Sequence, residues 1–268
     1  TVLRQGSQVA PQVKLWPNKV VEAGARVTMS LIWGSTWHEA LFRERGVSGL
    51  TNVEITPELA VRLGAAFGTA LEKGATVTTS RDDHPASRMI LRSFMVGLLA
   101  VGTHVQDMRS TPIAIARRAV PMLGAAGGIH VRVDPRDAAC TLVEFFDHRG
   151  IPISRAMERK VESLFHREEF RRTPGDEVGQ LDFPARVLES YTHALFQFVR
   201  PGLFSDRRFK LVVDYAYGRL SSILPPIFSR LGCEVVALHP FPDPQRAPRS
   251  QEERQRFLEA LGQAPWSV

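Results

Sequence analysis

Several things are scarce in this chain. Cysteine occurs only twice, as Cys140 and Cys233, with no CxxC spacing and no nearby histidine cluster, which excludes a zinc site and a disulfide framework. Both are expected as small core residues. No apolar run approaches the length that crosses a bilayer, and the N-terminus lacks the basic, apolar, small-residue order of a signal peptide. A cytoplasmic protein with no membrane partner is expected. Gly124, Gly127 and Gly128 do not form GxGxxG, so a dinucleotide fold has no support. Lysine is rare too: 5 Lys stand beside 29 Arg, giving 34 basic residues against 28 acidic ones and a net charge of +6. The arginines are scattered. Their densest spots, 167–172 and 254–256, are interleaved with Glu168, Glu169, Glu252 and Glu253, the pattern of a solvated helix face, so no nucleic-acid partner is expected. A guanidinium fork suits the phosphate of a small ligand equally well. The chain opens at Thr1 without an initiator Met, which predicts a piece of a longer protein.

What is present is ordinary globular composition, 44% hydrophobic and 23% charged over 268 residues, enough for one large domain or two modest ones. The first residues carry an unusual period: Leu3, Val9, Leu15, Val21 and Val27 recur every six positions, with Pro11, Pro17 and Gly24 where the chain must turn. One aliphatic per hexad predicts the end of a left-handed parallel β-helix over 1–36, too short to be stable alone.

From Thr56 the pattern alternates between helix and strand. Thr56 caps a helix from Pro57 through Leu71, stopped by Gly74. Then follow a strand at 75–79, a helix at 88–101, a strand at 104–108, a helix opened by Pro112, and strands at 129–133 and 143–146. A basic helix spans 154–172. This order predicts βαβ crossovers and a mixed sheet covered by helices, in a domain over 42–172. Residues 173–184 lack apolar periodicity and read as a linker. The remainder, 185–268, repeats the α/β theme with a helix at 185–199, a strand at 210–214, a helix at 221–231, a strand at 234–238 and a helix at 251–261. Two strands are few to close a core, so this second unit is expected to be partial. Phe165, Phe170, Phe183, Phe196 and Phe198 are expected as helix core.

Taken together, these segments resemble the α-D-phosphohexomutases, in particular proteins that fuse a sugar nucleotidyltransferase and a β-helix to phosphohexomutase-like domains. Gly46-Val47-Ser48-Gly49-Leu50 is similar to the family's GTSG[IL]RG element, and the segment from Ser80 to Ser87 to its GRDTRPSS turn. Gly127-Gly128-Ile129, followed by Phe145-Phe146-Asp147, matches the frame of the catalytic loop without a gap. Leu211 to Asp214 with Tyr217-Gly218 resembles the opening of the second domain. The hexads with Trp16, Pro17, Asn18 and Lys19 are similar to the β-helix that ends bacterial mannose-1-phosphate guanylyltransferases. The resemblance implies conversion of mannose 6-phosphate to mannose 1-phosphate. It also implies a sugar phosphate such as mannose phosphate as ligand, the nucleotidyltransferase part of the same protein as partner, and a possible homo-oligomer.

The resemblance also exposes departures. The family loop reads TASHNP, and its serine carries the phosphoryl group. Here Arg132-Val133-Asp134-Pro135-Arg136-Asp137 fills that frame, with Asp134 at the serine position. An aspartyl phosphate would be a reactive mixed anhydride, unlike a serine ester. The arginine expected after the GTSG element is absent. The Asp-rich metal loop DGDxDR does not occur before Val268, so no cofactor is expected in this chain, although the intact family uses Mg²⁺. Three readings of the loop stay open. Asp134 is a permanent charge or weak metal ligand while Arg132 and Arg136 hold a sugar phosphate; or Asp134 is itself phosphorylated; or the loop is a degenerate surface turn with solvated charges, the reading preferred for this residue. Ser48, in a Gly-flanked turn, is a phosphate-binding candidate or a mere turn former. Arg81 with Asp82 either orients the loop through a salt bridge or caps the helix at Ser87. His104, His130 and His148 are not spaced as ligands and are expected to be satisfied or exposed. On the resemblance, this chain alone is expected to be inactive; the alternative is a non-catalytic sugar-phosphate-binding or assembly module that regulates an attached nucleotidyltransferase.

Overall fold

A computed structural model of the protein describes residues 1–15, 19–27, 36–37, 41–198, 209–243 and 251–263. The N-terminal segment forms short strands, β1 (Val2–Leu3), β2 (Gln8–Val9), β3 (Val20–Val21), β4 (Arg26–Val27) and β5 (Thr36–Trp37). Val2 pairs in parallel with Val20, and Gln8 with Arg26, so stacked strands lie eighteen residues, or three hexads, apart. Gly6 and Gly24, separated by the same step, both take a left-handed φ, at 76° and 75°. The hexad positions do not behave alike. Val21 and Val27 are buried around Ala25, with Val13 and Leu15 packed against them, whereas Leu3 is 53% exposed and Val9 is exposed as well. Trp16, Pro17 and Asn18 lie outside the described residues.

The following domain contains β6 (Val47–Leu50), α1 (Pro57–Ala70), β7 (Thr76–Arg81), α2 (Pro85–Ala100), β8 (His104–Ser110), α3 (Ile113–Met122), β9 (Gly127–Asp134), β10 (Asp137–Asp147), α4 (Arg155–Arg167) and β11 (Leu181–Asp182). Its six strands are ordered β11-β8-β7-β9-β10-β6. The first four run parallel, while β10 is antiparallel to both β9 and β6, so the expected mixed sheet is present. Strand alternation decides what each face meets. Val77, Ile129, Val131, Val143 and Phe145 point into one core with α1, α2 and α4. Thr78, Gly128 and Phe146 point to the other side, where Val120 of α3 packs against Gly128.

Phe145 sits among Phe42, Phe67 and Phe94 at centroid distances of 5.2, 5.1 and 6.0 Å, all edge to face. Each buried ring of this kind contributes roughly 1.5–3 kcal/mol by leaving water. Glycine lets α1 and α2 cross closely: a Cβ at Gly97 would run into the Val61 carbonyl oxygen, and one at Gly64 would lie 2.5 Å from that of Phe94. α1 starts as expected, with the Thr56 hydroxyl accepting the Leu59 amide at 3.3 Å. The expected start of α2 at Arg88 moves back to Pro85, because the His84 ring accepts the Ala86 amide at 3.2 Å; Ser87 is not the cap.

α4 ends at Arg167 rather than Arg172, because Glu168 takes a left-handed φ of 57°. The chain then turns back and Arg171 reaches the ends of two helices. Its Nε donates to Val101 O at 2.8 Å, Nη1 to Leu71 O at 3.2 Å and Nη2 to Gly68 O at 2.9 Å. Carbonyls at the ends of α1 and α2 thereby find a donor. Residues 173–184 are not a free linker. Gly179 N donates to Leu99 O, Val105 N to Gln180 O, and β11 extends the sheet beside β8.

The second unit holds α5 (Val187–Phe198), β12 (Lys210–Asp214), α6 (Leu224–Arg230), β13 (Glu234–Leu238) and α7 (Gln251–Gln263). β12 and β13 pair in parallel and fall where the sequence placed them. The helix expected over 221–231 is split into a 3₁₀ turn, Arg219–Ser222, and α6. Pro225 and Pro226 lack the N–H groups that would continue a helix from further back. Ile223 and Ile227 pack on Ile115 of α3, joined by Tyr191, Leu195 and Phe196 of α5. Two expectations about the core need correction. Phe183 and Phe198 are exposed, Phe198 by 81%, with Arg109 stacked 4.8 Å over the Phe183 ring. Cys140 and Cys233 are unbridged and half-buried, not core residues.

Candidate functional site

The pleat of β9 aims His130, Arg132 and Asp134 to the face opposite Ile129 and Val131. Leu142 of β10 stands between Arg132 of β9 and Ser48 of β6 in register, and Glu144 stands opposite His130. Ser48 and Arg132 therefore share a face two strand spacings apart, roughly 10 Å. Asp134 lies beyond them at the carboxyl end of β9, where Pro135 and Arg136 turn the chain into β10.

Asp134 is only 4% exposed, which overturns its reading as a solvated surface turn. The carboxylate survives burial because Arg136 folds back on it. Oδ1 accepts the Arg136 amide at 2.9 Å and Nε at 3.3 Å, and Oδ2 accepts Nη2 at 3.2 Å. Burial pushes the Asp134 carboxyl up, but these hydrogen bonds, with the charges of Arg136 and Arg132, outweigh it and hold it below its usual value. The same carboxylate raises Arg136 above its own usual value. Arg132 is also committed: its Nε donates to Glu144 Oε2 at 2.8 Å. Each arginine is thus ion-paired to a carboxylate of its own hairpin, Arg132 through Nε and Arg136 through Nε and Nη2.

Ser48 is not in a turn. It lies within β6, buried, because the flanking glycines serve close packing: Gly46 has φ 136° and a Cβ there would strike the Val143 carbonyl oxygen, while one at Gly49 would press on the Glu54 side chain. Arg81 is opposite Val131 and so faces the α1 and α2 side, away from Ser48, Arg132 and Asp134. Its Nη1 donates to the neighbouring Asp82 O at 2.7 Å, and burial together with Arg88 lowers its affinity for the proton despite nearby aspartates. The residue that orients the hairpin is Asp82. Its Oδ2 accepts the Val133 amide at 2.8 Å, its own amide donates to Val131 O at 3.1 Å, and its Oδ1 accepts the His84 amide at 3.0 Å. This is a carboxylate holding a backbone, not a salt bridge.

His130, expected to be satisfied or exposed, is satisfied, whereas Glu144, which stands opposite it in register, draws no notice in the sequence. His130 is 2% exposed and its Nδ1 lies 2.9 Å from Ser80 Oγ. Burial, aided by the charge of Arg132, pushes its pKa down to about 3, so it stays neutral. His104 accepts the Gln180 amide at 3.1 Å. At the opposite end of the parallel strands, Lys73, Arg149, Lys160, Met157 and Phe67 are among the residues lining an open cleft of about 960 Å³. Asp134 does not line it.

A three-layer α/β sandwich with its candidate residues at the carboxyl ends of parallel strands is the general plan of ligand-binding α/β proteins. The family described as "Phosphoglucomutase/phosphomannomutase, alpha/beta/alpha domain I" matches residues 39–172. A "Phosphoglucomutase/phosphomannomutase" of Thermococcus kodakarensis is 31% identical over 229 residues, covering 82% of this chain and 50% of that protein. A "Phosphoglucosamine/phosphogalactosamine mutase" of Sulfurisphaera tokodaii is 28% identical over 214 residues, covering 79% and 47%. Among solved structures, a phosphoglucomutase/phosphomannomutase family protein of Burkholderia thailandensis superposes with TM-score 0.64 at 20% identity, covering 76% of this chain and 44% of that one. A Thermus thermophilus structure gives 0.70 at 23% identity, covering 84% and 53%. This chain belongs to the phosphoglucomutase/phosphomannomutase family, and it spans about half the length of the relatives it matches.

The family implies Mg²⁺. Among the described residues no group of three His, Cys, Asp or Glu side chains stands close enough to hold a metal ion. Asp134 is closed by Arg136, Asp82 by backbone amides, and Asp83 by Arg219 and Ser110. The described residues, so engaged, do not fit the ion. No helix among the described residues is long and apolar enough to cross a membrane.

Proposed function

We propose that this chain is a non-catalytic phosphohexomutase-type module of a sugar-phosphate-handling protein, in which the phosphoryl-carrying position has become a fixed Asp134–Arg136 lock. The observation that carries this reading is the buried Asp134 carboxylate, filled on both oxygens by Arg136. A phosphoryl carrier needs an exposed nucleophile. Here the frame supplies a shielded carboxylate, with the nearby Arg132 held by Glu144. The relatives' names point to a hexose or hexosamine phosphate as the ligand class, with mannose phosphate the choice favoured by the sequence resemblance. The test is an assay of the chain with mannose 1-phosphate, Mg²⁺ and a hexose bisphosphate activator. No turnover is expected, and robust turnover would overturn the proposal.

The N-terminal pairing supports a wider setting. Strands stacked three hexads apart, with left-handed glycines at matching corners, suit the end of a β-helix. We place the module after such a helix in a mannose-1-phosphate guanylyltransferase fusion, in the cytoplasm, where the unbridged Cys140 and Cys233 are at home. Transferase activity of the intact protein, compared with a version lacking everything after residue 41, tests this. A regulating module changes rate or oligomeric state, and an inert appendage changes neither.

A further inference from the structure

Asp82 and Asp83 are adjacent in sequence but serve different masters. Asp82 holds the Val133 amide of the hairpin, as described above. Asp83 reaches across to the second unit: Arg219 Nε lies 3.1 and 3.0 Å from its two carboxylate oxygens, and Nη2 donates to Oδ1 at 2.6 Å. Ser110 Oγ donates to the same Oδ1 at 2.5 Å, and the Thr111 amide donates to Arg81 O, so the end of β8 is tied into the same turn. Arg219 begins the 3₁₀ turn that leads to Ile223 and Ile227, which sit on Ile115. Apolar contact of that kind fixes separation but permits sliding and rotation. A guanidinium fork on a carboxylate also fixes direction.

We propose that the Asp82–Asp83 turn couples the second unit to the Asp134 hairpin, with Asp83 and Arg219 as positioning residues. The ion pair holds the turn where Asp82 can accept the Val133 amide, so the hairpin responds to how the second unit is seated. Burial pushes the Asp83 carboxyl up, but the hydrogen bonds from Arg219 and Ser110 outweigh it and keep Asp83 charged near neutrality. The coupling is independent of whether the site transfers phosphoryl groups, and therefore survives failure of the functional proposal.

Hydrogen exchange of the whole chain tests it, comparing wild type with Arg219→Gln, Asp83→Asn, the double variant and Arg219→Lys. Exchange at the Val133 amide is expected to rise roughly three- to tenfold in either single variant. The double variant should add nothing further, because both residues act through one bond. An unchanged Phe67 amide in α1 verifies that the fold is intact. Faster exchange at Ile223 with Val133 unchanged would mean that the second unit loosens without coupling, which overturns the proposal, as would additive effects in the double variant. Arg219→Lys keeps the charge and loses the fork; it must also speed Val133 exchange, and wild-type exchange there counts against the proposal.

Discussion

Replacing Asp134 by Asn isolates the lock chemically, because size is kept while the charge and half of the acceptor capacity are lost. In the wild type both carboxylate oxygens receive Arg136, through its amide, Nε and Nη2. The Asn side chain can still accept the amide but turns an NH₂ toward the guanidinium. A hydrogen bond to a charged group is worth about 1.5–3 kcal/mol, and the half-exposed Arg136 side chain brings solvent screening that reduces this to about 1 kcal/mol. The pH dependence supplies the sharper test. The folded carboxyl is held below its unfolded value of 3.8, so in acid the unfolded chain takes up the proton first. The lock's contribution is therefore complete above pH 3.8 and is lost as the pH falls through the lower, folded value. Urea unfolding at pH 7 and at pH 3 should show Asp134→Asn destabilised by about 1 kcal/mol at the higher pH, with the gap shrinking at the lower one. An equal gap at both values would mean that Arg136 does not hold the carboxylate in solution.

Three further outcomes follow from the packing. His130 is neutral in the fold, with its pKa lowered from 6.5 to about 3, so wild-type stability should fall by on the order of 1.4 kcal/mol for each unit that the pH drops across that interval; thermal melts of His130→Gln between pH 7 and pH 4 should lack this slope. Arg171→Ala leaves carbonyls of Gly68, Leu71 and Val101 without that donor and should cost about 2–3 kcal/mol in urea unfolding, whereas a loss within experimental error would mean water replaces the guanidinium. Gly97→Ala forces apart the α1 and α2 crossing and should cost about 2–4 kcal/mol, read as a lowered melting temperature; an unchanged one would show that the crossing yields freely.

Much of this architecture was legible because local signals agreed with the global fold. The strands at 210–214 and 234–238 and the cap at Thr56 each depend on nearby residues alone, while the frame from Gly127 to Phe146 was legible only through the resemblance to the family. The failures turn on contacts that local patterning does not show, several of them with residues distant in sequence. Gly46 and Gly49 suggest a turn until Val143 and Glu54 are seen pressing on them. The polar stretch ending in Leu181 and Asp182 has no strand periodicity, yet the open edge of β8 recruits it. Asp134 looks solvated in a run of charges, and only the register of β9 and β10 reveals that its neighbour Arg136 closes over it. The interdomain bond from Arg219 to Asp83 spans 136 positions and leaves no local trace.

The path of the chain after α4 has a practical bearing on where this protein can be divided. Cutting after Arg172 would keep the clasp that Arg171 places on α1 and α2, but it would strip β11 from β8 and leave the backbone of a sheet margin open to pairing with other chains. A free-standing version of the first domain should run through Asp182.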